Sequence, residues 1–261
     1  MITVELVRCL IDNYAYVLSS SDQPGCVIVD ACETWTLRRA VRDKPVVAIL
    51  STHHHADHVG ANEELLELYP KLEVYGHTDE WGKGRIPGLR RWLRDGQEFA
   101  VLGETVVALH VPGHTRTSVA YYLPKQGLLF TGDTLFAGGC GRMFEGTADE
   151  FYASLLRLAA LPESTLIYGG HDYVIQNLEF ALQVDSENAD LKARLAACRE
   201  EREVEELSQP STLAEELKTN PFLRVTQPFL RATLSHWPAE RAEDVPPAEL
   251  FARLRKRKDK Y

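Results

Sequence analysis

Short apolar runs, each closed by a Gly, Pro, His or Asp cluster, punctuate the first two thirds of the chain. Cys26 to Val29, Val46 to Leu50, Val106 to Val111, Leu128 to Thr131 and Thr165 to Tyr168 have the length and punctuation of largely buried β-strands. Between them, Ala61 to Tyr69 predicts a helix that stops at Pro70. Thr147 with Glu150 three residues later spells a capping box for a helix through Phe151, Leu155 and Leu158, ending before Pro162. After Tyr173 the pattern changes. Glu187 to Leu207 is rich in Ala, Leu, Glu, Arg and Lys without an internal Gly or Pro, Thr212 with Glu215 opens a short helix, and a third helical segment starts at Pro247. With no internal repeat or low-complexity tract, the pattern predicts an α/β catalytic domain over residues 1–172 and a small α-helical domain over residues 173–261.

Composition narrows the class. At 261 residues, 44% hydrophobic and 26% charged, the chain is that of an ordinary folded protein. No apolar run approaches the roughly 20 residues that span a bilayer. The first fifteen residues carry Glu5, Arg8 and Asp12 where a secretory signal would be basic and then apolar. Cys9, Cys26, Cys32, Cys140 and Cys198 are odd in number and never form a CxxC pair, which argues against a disulfide framework and a thiolate zinc knuckle. A cytoplasmic, membrane-free protein is expected. A net charge of −9 disfavours nucleic acid as a partner. Against that average, Arg253 to Lys260 holds six basic residues and one acid, either a favourable basic helix end or a site for an anionic ligand.

The candidate chemistry begins where the strand ending at Leu50 gives way to Thr52-His53-His54-His55-Ala56-Asp57-His58. In near-extended chain, residues two apart point the same way, so His53 and His55 can face one metal while Asp57 and His58 turn to a neighbouring position and His54 points elsewhere. Isolated His77, His110 and His236 read as structural or surface residues. The pattern of an apolar run yielding a polar ligand recurs at His114 in Pro112-Gly113-His114-Thr115, at Asp133 in Thr131-Gly132-Asp133-Thr134 and at His171 in Gly169-Gly170-His171-Asp172. These seven side chains exceed the three protein ligands usual for one catalytic zinc. Two divalent ions fit better, with His53, His55 and His114 on the first, Asp57, His58 and His171 on the second, and Asp133 between them. Imidazole and carboxylate without thiolate suit zinc, iron or manganese, and affinity order alone does not choose between them; zinc is the first expectation.

The run THHHADH resembles the signature of the metallo-β-lactamase superfamily, and the later His, Asp and His follow in its order. That resemblance implies a four-layer αβ/βα sandwich with a dinuclear site at its edge. The segment from Gly132 to Thr147 is similar to the glyoxalase II family, as are Asp12-Asn13-Tyr14, His171-Asp172-Tyr173, Asn220-Pro221-Phe222-Leu223-Arg224 and Arg255 to Asp259, so the likeness spans the chain. It implies hydrolysis of S-D-lactoylglutathione by a metal-bridging hydroxide oriented by Asp57 and Asp133, the second step of methylglyoxal detoxification. It also implies a glutathione site formed by Arg142, Tyr173, Arg255 and Lys258, with Asn177 a further candidate, and a monomer whose partner is the small thioester. Arg142 stands where relatives often have lysine, and Phe144 where some have tyrosine. A single-iron persulfide dioxygenase or general thioesterase, an RNA-processing nuclease and a non-catalytic metal-binding scaffold are the competing readings.

Overall fold

The first residues of the chain close a long hairpin. Strands β1 (Ile2–Cys9) and β2 (Asn13–Ser20) pair antiparallel from Ile2 opposite Ser20 to Cys9 opposite Asn13. β3 (Cys26–Val29) adds antiparallel to β2, and β4 (Val46–Leu50), β5 (Glu73–His77) and β6 (Leu89–Leu93) continue the sheet in parallel, in the order β1-β2-β3-β4-β5-β6. Parallel neighbours need crossovers. Helix α1 (Thr34–Val41) supplies one between β3 and β4, while α2 (Ala56–Val59) and α3 (Asn62–Leu68) fill the next. Leu37, Val41 and Leu65 of these helices share a core with Ile28, Ile49 and Val74 of the sheet.

A second set of strands, β7 (Glu98–Val101), β8 (Glu104–His110), β9 (Val119–Leu123) and β10 (Leu128–Gly132), forms an antiparallel meander. It meets the first sheet through Phe130 against Tyr16 at 5.3 Å and Phe99 stacked on Tyr75 at 4.8 Å. Tyr121 Oη donates to the Ser51 carbonyl at 2.8 Å. Helices on one side and this meander on the other explain why every residue of β3 is buried, as in strands covered on both faces.

The computed structural model describes residues 1–204, 209–235 and 245–261. These elements belong to one of its two compact units, residues 1–111, 117–132 and 169–172; the other comprises residues 112–116, 133–168 and 173–261. The second unit holds the short pair β11 (Leu135–Phe136) and β12 (Gly139–Cys140), then α4 (Ala148–Ala159). The predicted capping box is present: Glu150 N donates to Thr147 Oγ1 at 3.2 Å and Thr147 N to Glu150 Oε2 at 2.8 Å. β13 (Leu166–Gly169) pairs antiparallel with β14 (Ser211–Thr212). Helices α5 (Val174–Val184), α6 (Ala189–Glu203), α7 (Leu213–Thr219), α8 (Pro228–Ser235) and α9 (Pro247–Lys258) complete the unit. Val174, Leu178 and Ala181 of α5 pack on Leu191 and Leu195 of α6, and Phe251 of α9 meets Phe151 of α4 at 5.3 Å.

The apolar runs Cys26 to Val29 and Val46 to Leu50 coincide with β3 and β4, and the other three lie within two residues of β8, β10 and β13. The helix expected over Glu187 to Leu207 starts at Ala189, with Leu191 N donating to Asn188 Oδ1. Leu207 and His236 lie outside the described residues. Among the described residues no helix is long and apolar enough to cross a membrane.

Candidate metal centre

Beyond Leu50 the chain leaves the first sheet, and Val119 N donates to the Thr52 carbonyl at 2.8 Å. His53 Nδ1 lies 3.0 Å from Thr52 Oγ1 and its Nε2 3.0 Å from His55 Nδ1. The run does not stay extended to its end, because Asp57 and His58 ride on the one-turn helix α2. There Asp57 Oδ2 comes 3.6 Å from His58 Nε2 and 3.5 Å from His171 Nε2, and ligand atoms of the three lie within 4.8 Å of one another. His58 Nδ1 lies 2.9 Å from Asp30 Oδ2 and His171 Nδ1 3.0 Å from Asp12 Oδ1. A carboxylate that accepts the Nδ1 proton fixes the tautomer and leaves the Nε2 lone pair for a metal. Asn13 completes the frame by donating to Asp57 Oδ2 at 3.0 Å.

Asp30 is the centre of this support. Buried at the end of β3 with φ 55°, it accepts from Thr52 N at 2.7 Å through one oxygen and from Thr52 Oγ1 at 2.8 Å through the other. His54 faces another way, with Nε2 3.0 Å from Arg85 Nη1 and Nδ1 3.6 Å from Glu80 Oε1. Burial pushes the Glu80 carboxyl up, but hydrogen bonds from Arg85 and Thr117 outweigh it and hold the group below the usual carboxylate range.

The second unit holds a histidine and an aspartate side by side. His114 Nε2 is 3.4 Å from Asp133 Oδ2, and its Nδ1 is 2.7 Å from the Arg142 carbonyl. The backbone between Asp133 and Arg142 must pass very close to both. A Cβ on Gly141 would lie 2.0 Å from the Asp133 carbonyl oxygen and 3.1 Å from His114 Nδ1. Buried side chains brace that loop: Asn177 donates to the Ala137 carbonyl at 3.1 Å, Asn220 to the Gly139 carbonyl at 2.9 Å, and Arg255 Nη1 to the Cys140 carbonyl at 2.7 Å. Glu216 accepts from Gly138 N at 2.9 Å.

The six expected substrate residues therefore divide. Asn177 and Arg255 are buried against loop carbonyls, whereas Arg142 and Phe144 are exposed. Tyr173 is half-buried, edge-on to Phe136 at 5.6 Å. Lys258 Nζ donates to the Gln176 carbonyl at 3.1 Å and lies over the Phe180 ring; burial, then the nearby Arg255 charge, lowers its pKa to about 8. Five supporting residues, Asp12, Asn13, Asp30, Glu216 and Asn220, are not among the ligand and substrate residues expected from the sequence, although Asp12, Asn13 and Asn220 lie in its family-like segments. Asp30 carried a usable signal, since like Asp133 it follows a buried strand.

The donor set of imidazoles and carboxylates, with Nδ1 atoms tied back, fits a divalent metal. Comparison with known proteins agrees. Residues 12–171 match the metallo-beta-lactamase superfamily and residues 172–261 the hydroxyacylglutathione hydrolase C-terminus. A hydroxyacylglutathione hydrolase from Synechococcus sp. (strain JA-3-3Ab) is 46% identical over 256 residues, 96% of each chain. The chain belongs to the hydroxyacylglutathione hydrolases. In fold, this hydrolase is similar to ETHE1 from Myxococcus xanthus, with a TM-score of 0.65 at 24% identity over 96% of this chain and 99% of that one. TTHA1623 in a di-iron-bound form, at 27% identity and a TM-score of 0.56, covers 83% of this hydrolase and 98% of its own chain.

Proposed function

We propose that this hydroxyacylglutathione hydrolase cleaves the thioester S-D-lactoylglutathione, and related S-2-hydroxyacylglutathiones, to glutathione and a 2-hydroxy acid at a centre for two divalent ions. The observation that carries the reading is the Asp57, His58 and His171 trio, its two imidazoles each oriented by a carboxylate, in a chain that matches named hydroxyacylglutathione hydrolases along nearly its whole length. In this reading His53, His55 and His114 would hold one ion and Asp57, His58 and His171 the other, and Asp133 would serve both. When bound, such ions lower the pKa of water toward about 7 and polarise a carbonyl. Asp57 and Asp133 orient the attacking water. The leaving thiol has a pKa of about 8.5, so the chain needs no dedicated acid to expel it. Zinc is the foremost occupant, and the di-iron form of a structural relative keeps iron in view.

Residues 1–172 then carry the ligand-bearing domain and residues 173–261 the substrate-binding one. Arg142, Tyr173 and Lys258 hold the glutathione portion by charge-assisted and aromatic contacts, with Phe144 supplying an apolar edge. Asn177 and Arg255 serve this site while holding the loop backbone. The small thioester is the only partner this reading requires, bound by a monomer, and five scattered cysteines without a CxxC pair favour the cytoplasm.

Release of free thiol from S-D-lactoylglutathione by the purified protein, with metal content measured on the same sample and Asp133→Ala as control, tests the proposal. Hydrolysis with about two metals per chain, abolished in the variant, supports it. No hydrolysis at full metal occupancy overturns the substrate assignment.

A further inference from the structure

Between β5 and β6 the chain builds an ion pair that no step of the proposed hydrolysis uses. The turn Thr78–Glu80 opens with Asp79 N donating to His77 Nδ1 at 3.2 Å. Gly82 and Gly84, at φ 74° and 67° where a side chain would be strained, then fold the segment back so that Arg85 meets Glu80. Arg85 Nε donates to Glu80 Oε2 at 2.9 Å and Nη2 donates to Oε1, the two-pronged contact of a guanidinium with a carboxylate. Thr117 Oγ1 donates to Oε1 as well, and the Glu80 side chain is wholly buried. Apolar residues of similar volume often stabilise a fold as well as a buried ion pair does, so stability alone does not account for this one.

The pair leads to the ligand run. Arg85 Nη1 reaches His54 Nε2 at 3.0 Å. A guanidinium only donates, so His54 Nε2 accepts and carries no proton, while its Nδ1 lies 3.6 Å from Glu80 Oε1. His54 separates His53 from His55, whose rings meet edge-on at 4.6 Å with Nε2 of one 3.0 Å from Nδ1 of the other. Thr117, the other donor to Glu80, is two residues before Val119, whose N–H holds the Thr52 carbonyl at 2.8 Å. One buried carboxylate thus ties the run down on both sides of His53. We infer that Arg85 is a positioning residue: backed by Glu80, it pins His54 and so fixes the backbone that presents His53 and His55 to a metal ion.

This role rests on the reading of His53 and His55 as metal ligands. The zinc-loaded full chain is titrated with a competing chelator, which reads the affinity of each bound ion. His54→Ala cuts the run from the ion pair and leaves the pair itself intact. It is expected to weaken one ion about tenfold, the scale of a lost outer-shell partner, and to leave the other unchanged. His54→Gln, whose amide oxygen accepts from Arg85, should restore the affinity. Arg85→Lys keeps a cation beside Glu80 without the guanidinium fork and should weaken the same ion. The double variant His54→Ala/Arg85→Lys should be no weaker than the worse single variant, as for residues that act through one contact. Parental affinity in His54→Ala, equal weakening of both ions, or additive losses in the double variant would overturn the positioning role. A parent that binds no zinc would overturn the metal reading and this role with it.

Discussion

Asp30 adopts a left-handed backbone conformation that costs most residues about 1–2 kcal/mol, and Asp is among the few side chains that visit it routinely. The bend lets one carboxylate serve Thr52 N, Thr52 Oγ1 and His58 Nδ1 together. Asp30→Ala is expected to weaken metal binding about 10- to 100-fold, read by chelator competition, with a circular dichroism spectrum like that of the parent. Lys258 offers a pH signature on the proposed reading. Its pKa is lowered to about 8, so it is cationic at neutral pH and becomes neutral as pH rises through that value. KM for the thioester should rise between pH 7 and 9, and Lys258→Arg, which stays charged, should flatten the rise. An equal rise in both proteins would remove Lys258 from the carboxylate contact.

At the scale of an element, the loop from Asp133 to Arg142 has little regular structure of its own, only the two-residue strands β11 and β12. Its carbonyls are instead paired with side chains from distant helices: Asn177 on α5, Asn220 after α7 and Arg255 on α9. This gives the Asn220-Pro221-Phe222 segment a physical role. Asn220 Nδ2 also donates to Glu216 Oε2 at 2.9 Å, its Oδ1 accepts from Phe222 N at 3.1 Å, and Phe222 lies under the Arg255 guanidinium. Asn220→Ala strands buried loop carbonyls, for which the cost is about 1–3 kcal/mol. Chemical denaturation should show that loss, and because the loop leads from Asp133, metal content should fall with it.

At the scale of the whole molecule, the first unit carries a buried histidine that senses pH. His77 at the end of β5 stacks on His110 of β8, ring centroids 4.1 Å apart. Burial first, then the His110 charge, lowers the His77 pKa below 6.5 despite Asp79, Glu80 and Asp95 nearby. The unfolded chain therefore binds a proton that the folded chain refuses. Stability from this group is complete above pH 6.5 and declines as pH falls toward the folded value. The melting temperature should drop more between pH 7.5 and 5.5 in the parent than in His77→Asn, and equal drops would assign the loss to other groups. Strands β3 and β4 were legible in the sequence because strands covered on both faces need continuous apolar runs. The capping boxes at Thr147 and Thr212 were legible because their hydrogen bonds span three residues. The candidate ligand residues stood out as types at strand ends. Strands β1 and β2 escaped that reading, since residues of mixed polarity are held there by pairing across a hairpin. The support at Asp12, Asp30 and Asn220 escaped it too, because contacts such as His171 with Asp12, 159 residues apart, exist only once the backbone has closed. Local chemistry determined which residues could bind metal, and tertiary structure decided which nitrogen of each histidine His58 and His171 presents and which cations brace backbone.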